Sequence, residues 1–189
     1  MSKTMYIDKN ASFVTDIKTI RERARKHIEQ GAVTSTYGAN RAIVLQLLNE
    51  ALATELVCVL RYRRHYFMAK GAMGEAIKSE LLKHATEEQA HADLIAERIV
   101  QLGGEPDFNP AELAGRSHAQ YIEGTDLASM VEEDLVAERI AIESYTEMIR
   151  YIDQGDFTTK RMLEGILANE EEHAEELASL LTTLRGDHA

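Results

Sequence analysis

Apolar residues recur at three- and four-residue intervals along most of the chain, which is the spacing of one face of an α-helix. The pattern predicts five helices, at about residues 13–29, 39–70, 75–102, 126–153 and 158–184. At about 1.5 Å per residue, each of the last four is roughly 40 Å long, a length typical of helical bundles. Glycines, which commonly end helices, mark the breaks between these segments: Gly71 and Gly74, Gly103 and Gly104, and Gly155.

The segment 103–125 is the only long connection between the last four helices. It holds both prolines of the chain, four of its glycines and a polar run that begins at Gly115. Short breaks elsewhere imply antiparallel neighbours. The pattern therefore predicts an all-α four-helix bundle with one long crossover, from helices 2–3 to helices 4–5, and an extra N-terminal helix. We expect an N-terminal basic helical extension at 1–38, the bundle at 39–184 and a tail at 185–189.

The composition is that of a globular protein, with 44% apolar and 28% charged residues in a chain of 189, enough for one domain. The net charge of −11 argues against nucleic acid as the main partner, because binding a polyanion depends on Lys and Arg. It suits the attraction of cations. Residues 1–27 are the exception, with seven Lys and Arg against three acids. We expect a solvated or interface helix there, with DNA binding as the less favoured interpretation.

Cys58 is the only cysteine, which excludes an intrachain disulfide and a thiolate metal cluster. Any metal bound by this chain would therefore use oxygen and nitrogen ligands. The N-terminus has no apolar signal core, and the longest apolar runs are far shorter than the roughly 20 residues that cross a bilayer. We therefore expect a cytoplasmic protein with no membrane partner.

A weak internal repeat relates the two halves of the predicted bundle. Glu55 is followed seven residues later by Tyr62, and Glu138 is followed at the same distance by Tyr145. In each half, the next helix then carries a Glu-x-x-His pair, 33 residues after the first glutamate in one half and 32 in the other. These pairs are Glu88 with His91 and Glu170 with His173.

The four glutamates and two histidines of this repeat each lie on an apolar stripe, so helix packing would bury them together at one height. Burying charges is costly unless they are compensated, and no Lys or Arg sits at the mid-bundle heights. Two divalent cations would neutralise the four carboxylates. Glutamate oxygens with imidazole nitrogens suit iron or manganese and leave positions for an oxidant, whereas zinc more often takes a closed tetrahedral set.

Two further side chains near this set are less favoured as ligands. Glu87 lies on the same face as His91, but Asn169 holds the equivalent place in the second half, so the repeat selects Glu88. His84 lies seven residues before His91 and could be an outer ligand, although a lone additional histidine is more often a hydrogen-bonded bystander.

With these residues, the sequence resembles the bacterioferritin and Dps-like branch of the ferritin superfamily over residues 39–184. The resemblance implies a ferroxidase that oxidises Fe(II) with O2 or H2O2, for iron storage, detoxification and protection against oxidative stress. It implies two iron ions per subunit, with manganese as the other metal that fits. Tyr62 matches the family's redox-active tyrosine. The implied ligands are Glu55, Glu88, His91, Glu138, Glu170 and His173.

Two other functions stay open. Another di-iron or di-manganese oxidase or peroxidase would use the same ligands, although the single cysteine cannot build the electron-transfer domain of rubrerythrin-like enzymes. A non-catalytic, Dps-like DNA-protecting protein is the second alternative, but it leaves four buried carboxylates without a role.

The resemblance also bears on haem and on assembly. The family's haem ligand is a Met directly after the Glu of the first Glu-x-x-His, and Gln89 holds that place here, so we expect no haem. Relatives with 24 subunits carry a short helix after the last bundle helix, and residues 174–189 are barely enough to complete the bundle. With the extra N-terminal helix, this favours a homo-oligomer of 12 subunits over one of 24 or a dimer.

Overall fold

The computed structural model describes residues 16–186 of the chain. The chain forms two compact units, and the boundary between them lies between Thr36 and Tyr37. The described residues form six α-helices and no strand, which confirms the predicted all-α class. The predicted domain limits at 38 and 184 stay predictions, although the last helix continues to Gly186.

The first unit contains α1, Ile17–Arg23, and one 3-10 turn at Ile28–Gln30. The prediction of a continuous helix over 13–29 is wrong beyond Arg23, and its first three residues lie outside the described part. His27 adopts a left-handed backbone conformation with φ of 52°, which interrupts the helix. No residue of α1 is buried, and short helices without packing are marginal in water, so periodicity alone overestimated its length.

The second unit is built from four long helices that form two antiparallel hairpins, α2 with α3 and α5 with α6. The predicted crossover joins α3 to α5 and contains one short helical turn, α4, at Leu113–Arg116. Apolar inner faces meet along the axis of the unit, where Leu52, Ile95 and Leu163 are fully buried. The long helices are α2 at Arg41–Met68, α3 at Gly71–Gln101, α5 at Leu127–Ile152 and α6 at Phe157–Gly186.

The link between α2 and α3 is shorter than predicted, because α3 begins at Gly71 rather than near residue 75. Gly71 has φ of +78°, a conformation that glycine adopts without strain, and it starts the helix directly after a tight turn. Gly74 lies inside α3, where a Cβ would come within 2.9 Å of the backbone of Ala69. The two glycines therefore permit a close turn, which the sequence pattern alone read as a helix break.

Helix α2 is long and apolar enough to cross a membrane by length and composition alone. More than half of its most apolar 18-residue stretch is buried inside the protein, and the helix carries the buried ionisable side chains of Glu55 and Arg61. These are the features of a core helix of the bundle.

A buried ion pair ties the crossover to the bundle. Arg61 on α2 donates from Nε to Asp134 Oδ1 on α5 at 2.8 Å, and its Nη1 donates to the carbonyl of Gln120 at 3.2 Å. His65 Nδ1 lies 2.8 Å from Asp134 Oδ2, and its Nε2 lies 3.1 Å from the carbonyl of Glu123. Both Asp134 oxygens are thus bound by side chains of α2, and the same two side chains contact carbonyls of the crossover.

A second buried pair ties α3 to the start of α6. Arg98 donates from Nη2 to Asp156 at 2.9 Å, and Tyr37 donates its hydroxyl to the same carboxylate at 3.0 Å. Burial raises the pKa of Asp156, but hydrogen bonds from Thr159 and the charge of Arg98 outweigh burial and hold that pKa below its usual value. These contacts fix the α5–α6 turn against α3 and set the relative height of the two hairpins.

We predict that Asp134→Ala destabilises the protein by about 3–5 kcal/mol, because it leaves the buried charge of Arg61 without its partner. Glu132→Ala is the matched control on the same helix, since Glu132 pairs with Arg185 at 2.6 Å where both side chains are about half exposed. An exposed pair of this kind contributes about 0–1 kcal/mol. Urea unfolding of both variants measures the difference, and equal losses would contradict the structural role of the buried pair.

Candidate metal centre

The middles of α2, α3, α5 and α6 bring the six side chains of the repeat together in the interior of the bundle. Each comes from the apolar stripe of its helix, which explains why packing buries it. The exposed fractions are 0% for Glu138 and Glu170, 1% for Glu55, Glu88 and His173, and 5% for His91.

One half of this cluster is centred on His91. Its Nδ1 lies 3.0 Å from Glu170 Oε1, 3.4 Å from Glu55 Oε2 and 3.6 Å from Glu88 Oε2. One donor atom from each of the four side chains lies within 4.8 Å of the others, an arrangement that could hold one metal ion. We call this group the His91 half-site.

The other half is centred on His173 and mirrors the first. Its Nδ1 lies 3.5 Å from Glu170 Oε2, 3.6 Å from Glu88 Oε1 and 4.0 Å from Glu138 Oε2. These four residues also offer donor atoms within 4.8 Å of one another. This is the His173 half-site, and it shares Glu88 and Glu170 with the His91 half-site.

Seven polar atoms of the cluster are buried and make no hydrogen bond within the described part of the chain. Buried polar atoms are nearly always hydrogen-bonded, because a missing partner costs free energy. Unpaired carboxylate oxygens and imidazole nitrogens that face one common space fit cations well. The seven atoms are Glu55 Oε2, Glu88 Oε1, His91 Nδ1, Glu138 Oε2, both oxygens of Glu170 and His173 Nδ1.

Two buried tyrosines bind the carboxylates of Glu55 and Glu138, which we call the terminal glutamates because each belongs to one half-site only. Tyr62 on α2 donates its hydroxyl to Glu138 on α5, and Tyr145 on α5 donates to Glu55 on α2. Each tyrosine therefore contacts the carboxylate of the other half of the repeat. Burial, reinforced by the facing carboxylates, raises the pKa of both phenols well above the usual value, so they act as neutral donors.

The carboxylates influence one another strongly. Burial raises the pKa of Glu55 and of Glu138 well above the usual range, and the charges of Glu88 and Glu170 raise both further. For Glu88 itself, the effect of burial is outweighed by its contacts with Glu55 and the two histidines, and its pKa is lowered. Glu55 and Glu138 therefore hold a proton more readily than the shared Glu88 and Glu170.

The carboxylates also raise the pKa of both histidines. Burial lowers the pKa of His91, but its contacts with Glu170 and the other carboxylates outweigh burial and raise that pKa to about 12. The same balance raises the pKa of His173 to about 10. Metal ligands bind in their deprotonated form, so a cation entering the cluster displaces protons from these groups.

Glu87 contributes to the centre, although the sequence analysis set it aside. Its Oε2 accepts a hydrogen bond from His173 Nε2 at 2.8 Å. A carboxylate on the second imidazole nitrogen fixes the orientation of a ligating histidine and leaves Nδ1 directed at the metal. Repeat symmetry missed this contact because it crosses from α3 to α6, whereas the repeat compares positions along equivalent helices.

His84 is also part of the surroundings of the centre. It is fully buried, and its ring stacks on His173 with 4.1 Å between centroids. Its Nδ1 lies 3.3 Å from the Tyr62 hydroxyl, and its Nε2 lies 2.8 Å from Glu176 Oε2. His84 therefore lies outside both half-sites and contacts His173, Tyr62 and Glu176.

Known proteins with the same architecture were found by sequence and by structure. A bacterioferritin of Desulfovibrio desulfuricans is 31% identical over 135 residues, which cover 70% of this chain and 71% of that protein. A solved bacterioferritin structure from this species, described for its diiron site in different catalytic states, gives a TM-score of 0.68 at 28% identity, covering 77% of this chain and 82% of that one.

Two further relatives represent the Dps-like branch and its neighbours. A DNA protection during starvation protein of Pyrococcus furiosus is 32% identical over 148 residues, covering 77% of this chain and 80% of that protein. A dodecameric thioferritin, the bacterioferritin-related protein of Bacteroides fragilis, gives a TM-score of 0.76 at 32% identity, covering 79% of this chain and 90% of that one.

The four-helix architecture, the buried carboxylate and histidine cluster and these relatives agree with one another. The family model described as Ferritin-like domain matches residues 45–186, which include all six side chains of the cluster. The chain therefore belongs to the ferritin-like family.

Proposed function

We propose that this protein is a ferroxidase, which oxidises Fe(II) to Fe(III) in the buried cluster with O2 or H2O2. Iron storage, detoxification and protection against oxidative stress are the roles that this reaction serves. The observation that carries the proposal is the set of seven buried, unpaired polar atoms facing one space. The bacterioferritin relative described with a diiron site supports the choice of iron.

Each half-site would receive one Fe(II) ion as substrate, with Glu55 and His91 on one ion and Glu138 and His173 on the other. The shared glutamates would contact both ions. Two divalent ions balance four carboxylates, which removes the cost of burying those charges. Manganese fits the same donor set.

The reaction needs two electrons, and two neighbouring ions can each supply one. The electron pair, with two protons, converts O2 to H2O2 or converts H2O2 to two molecules of water. The protein contributes by holding both ions near one oxidant and by excluding bulk water. We propose Tyr62 as the redox-active residue because it matches the family's redox-active tyrosine and its hydroxyl contacts Glu138. Tyr145 makes the equivalent contact with Glu55 but lacks that match.

The buried cluster supports the alternative functions less well than it supports a ferroxidase. The name of the Pyrococcus relative favours DNA protection as a second candidate, but buried unpaired carboxylates have no role in contacting DNA. Another di-metal oxidase or peroxidase would use the cluster with a different substrate. We further propose that the protein binds no haem, since Gln89 stands at the position of the haem ligand and its amide donates to Asp93. We also propose a cytoplasmic location.

Cation binding should stabilise the folded protein, because the cluster exists only in the folded state. At a free Mn(II) concentration 100 times the Kd, one site adds about 2.7 kcal/mol to the free energy of unfolding. Glu138→Ala should lose the part of this gain that comes from the His173 half-site, whereas Glu143→Ala, an exposed glutamate on the same helix, should keep the whole gain. Thermal unfolding of chelator-treated protein with and without Mn(II) measures both, and an equal gain in the two variants would contradict cation binding at the cluster.

The same pair of variants tests the reaction. Glu138→Ala should abolish rapid Fe(II) oxidation, because the His173 half-site loses a terminal ligand, while far-ultraviolet circular dichroism stays helical. Glu143→Ala should oxidise Fe(II) at the rate of the unmodified protein. Stopped-flow absorbance after mixing anaerobic Fe(II)-loaded protein with O2 or H2O2 provides the rates. Unchanged kinetics in Glu138→Ala would refute the assignment.

Storage additionally requires a closed shell, because a mineral must be separated from its surroundings. We propose a shell of 12 subunits, supported by the dodecameric relative from Bacteroides fragilis. Light scattering of the native protein should give a mass near 12 chains. A mass near 24 chains would contradict this shell size, and a mass near two chains would remove the storage role.

A further inference from the structure

An acidic cleft of about 460 Å³ opens between α3 and α6, on one side of the metal centre. Four of the residues that line it are glutamates, and the other lining residues, such as Ile77 and Ser179, are apolar or small. The carboxylates of the cleft belong to Glu80, Glu172, Glu175 and Glu176. The cleft therefore attracts cations to a point close to the buried cluster.

At the inner end of this cleft, His84 and two of the glutamates form a compact group of possible ligands. His84 Nε2 lies 2.8 Å from Glu176 Oε2 and 3.6 Å from Glu80 Oε1. One donor atom from each of the three residues lies within 4.8 Å of the others. Glu80 and His84 are four residues apart on one face of α3, so the helix itself holds them in this arrangement.

One carboxylate oxygen of the group lacks a hydrogen bond. Glu80 Oε1 is buried and makes no hydrogen bond within the described residues. The nearest cation is the ammonium of Lys83, which lies 3.2 Å from that oxygen and 3.0 Å from Glu176 Oε1. The Lys83 side chain is 39% exposed, so its charge can move into solvent at little cost.

Contacts link the group directly to the metal centre. The His84 ring stacks on His173, whose Nδ1 belongs to the His173 half-site, and His84 Nδ1 reaches the Tyr62 hydroxyl at 3.3 Å. His84 thus touches a cleft carboxylate on one edge of its ring and Tyr62 beside the centre on the other.

The cleft on the other side of the centre has a different lining. It has about the same volume, 460 Å³, and lies beside His91, where its lining includes Leu94, Met162 and Ile166 together with the positive charge of Arg161. None of the residues that line this cleft is a carboxylate. Of these two clefts between α3 and α6, the one on the His84 side is therefore the one that favours a cation.

We propose that Glu80, His84 and Glu176 form a third divalent-cation site, separate from the two half-sites. The cation displaces the Lys83 ammonium and takes two carboxylate oxygens and the imidazole Nε2, a donor set that suits Fe(II), Mn(II) or Zn(II). Two carboxylates balance its charge. Its role as a waiting position for Fe(II) on the way to the centre rests on the proposed ferroxidase function, whereas the site itself does not.

Zn(II) is the probe for the site, because it is redox-inert. Isothermal titration of chelator-treated protein should give one Zn(II) fewer per chain for Glu80→Gln/Glu176→Gln than for the unmodified protein. Glu75→Gln/Glu171→Gln, which removes two exposed charges from the same helices, should lose none. A crystal soaked in Zn(II) should show an anomalous peak between Glu80, His84 and Glu176. An unchanged Zn(II) count or no peak would overturn the site.

Lys83 provides an independent test of the same proposal. Removing the competing ammonium in Lys83→Met should tighten Zn(II) binding at the third site by about two- to fivefold, the range expected for an exposed ion pair. Lys78→Met is the control, since Lys78 pairs with Glu75 one turn earlier on α3, away from His84. Equal Zn(II) affinities for the two lysine variants would show that the group is only a salt bridge.

Iron kinetics separate this inference from the proposed function. In Glu80→Gln/Glu176→Gln, the initial oxidation rate should fall severalfold at low Fe(II) and recover at saturating Fe(II), because only delivery is impaired. An unchanged dependence of rate on Fe(II) would overturn the waiting role. If instead Glu138→Ala oxidises Fe(II) normally while the Zn(II) peak is present, the ferroxidase proposal fails and the third site stands.

Discussion

Four carboxylates buried at the centre of a helical bundle are the constraint on which the rest of this structure depends. Their mutual repulsion and the loss of their hydration oppose folding unless protons or cations compensate them. The two histidines and the two tyrosine hydroxyls supply part of that compensation, and they come from all four long helices. The heights of the helices are in turn fixed by buried pairs placed away from the cluster, Arg61 with Asp134 and Arg98 with Asp156.

The sequence predicted the four long helices, the crossover and the convergence of six side chains, because each depends on local periodicity or on a repeat. It did not predict where α1 ends, since that depends on packing which periodicity does not report. The contact of Glu87 with His173 and the partner of Arg61 were also missed. Both join residues more than 70 positions apart, and only the three-dimensional arrangement brings them together.

The buried Arg61 refines one premise of the sequence argument. A guanidinium does lie inside the bundle, about one and a half turns beyond Glu55 on the same helix. Each of its three guanidinium nitrogens makes a hydrogen bond away from the cluster, to Asp134, the Gln120 carbonyl and Cys58. The charge of Arg61 is thus neutralised by Asp134 and does not compensate the carboxylates of the cluster.

The tyrosines and shared glutamates make the two half-sites near mirror images, yet their outer surroundings differ. His173 has a carboxylate on its second nitrogen and a stacked imidazole, whereas His91 borders an apolar cleft. A carboxylate on the second nitrogen makes an imidazole a stronger electron donor. Two chemically identical cations bound in the two half-sites would consequently meet histidines of different donor strength, so the repeat in the sequence does not make them equivalent.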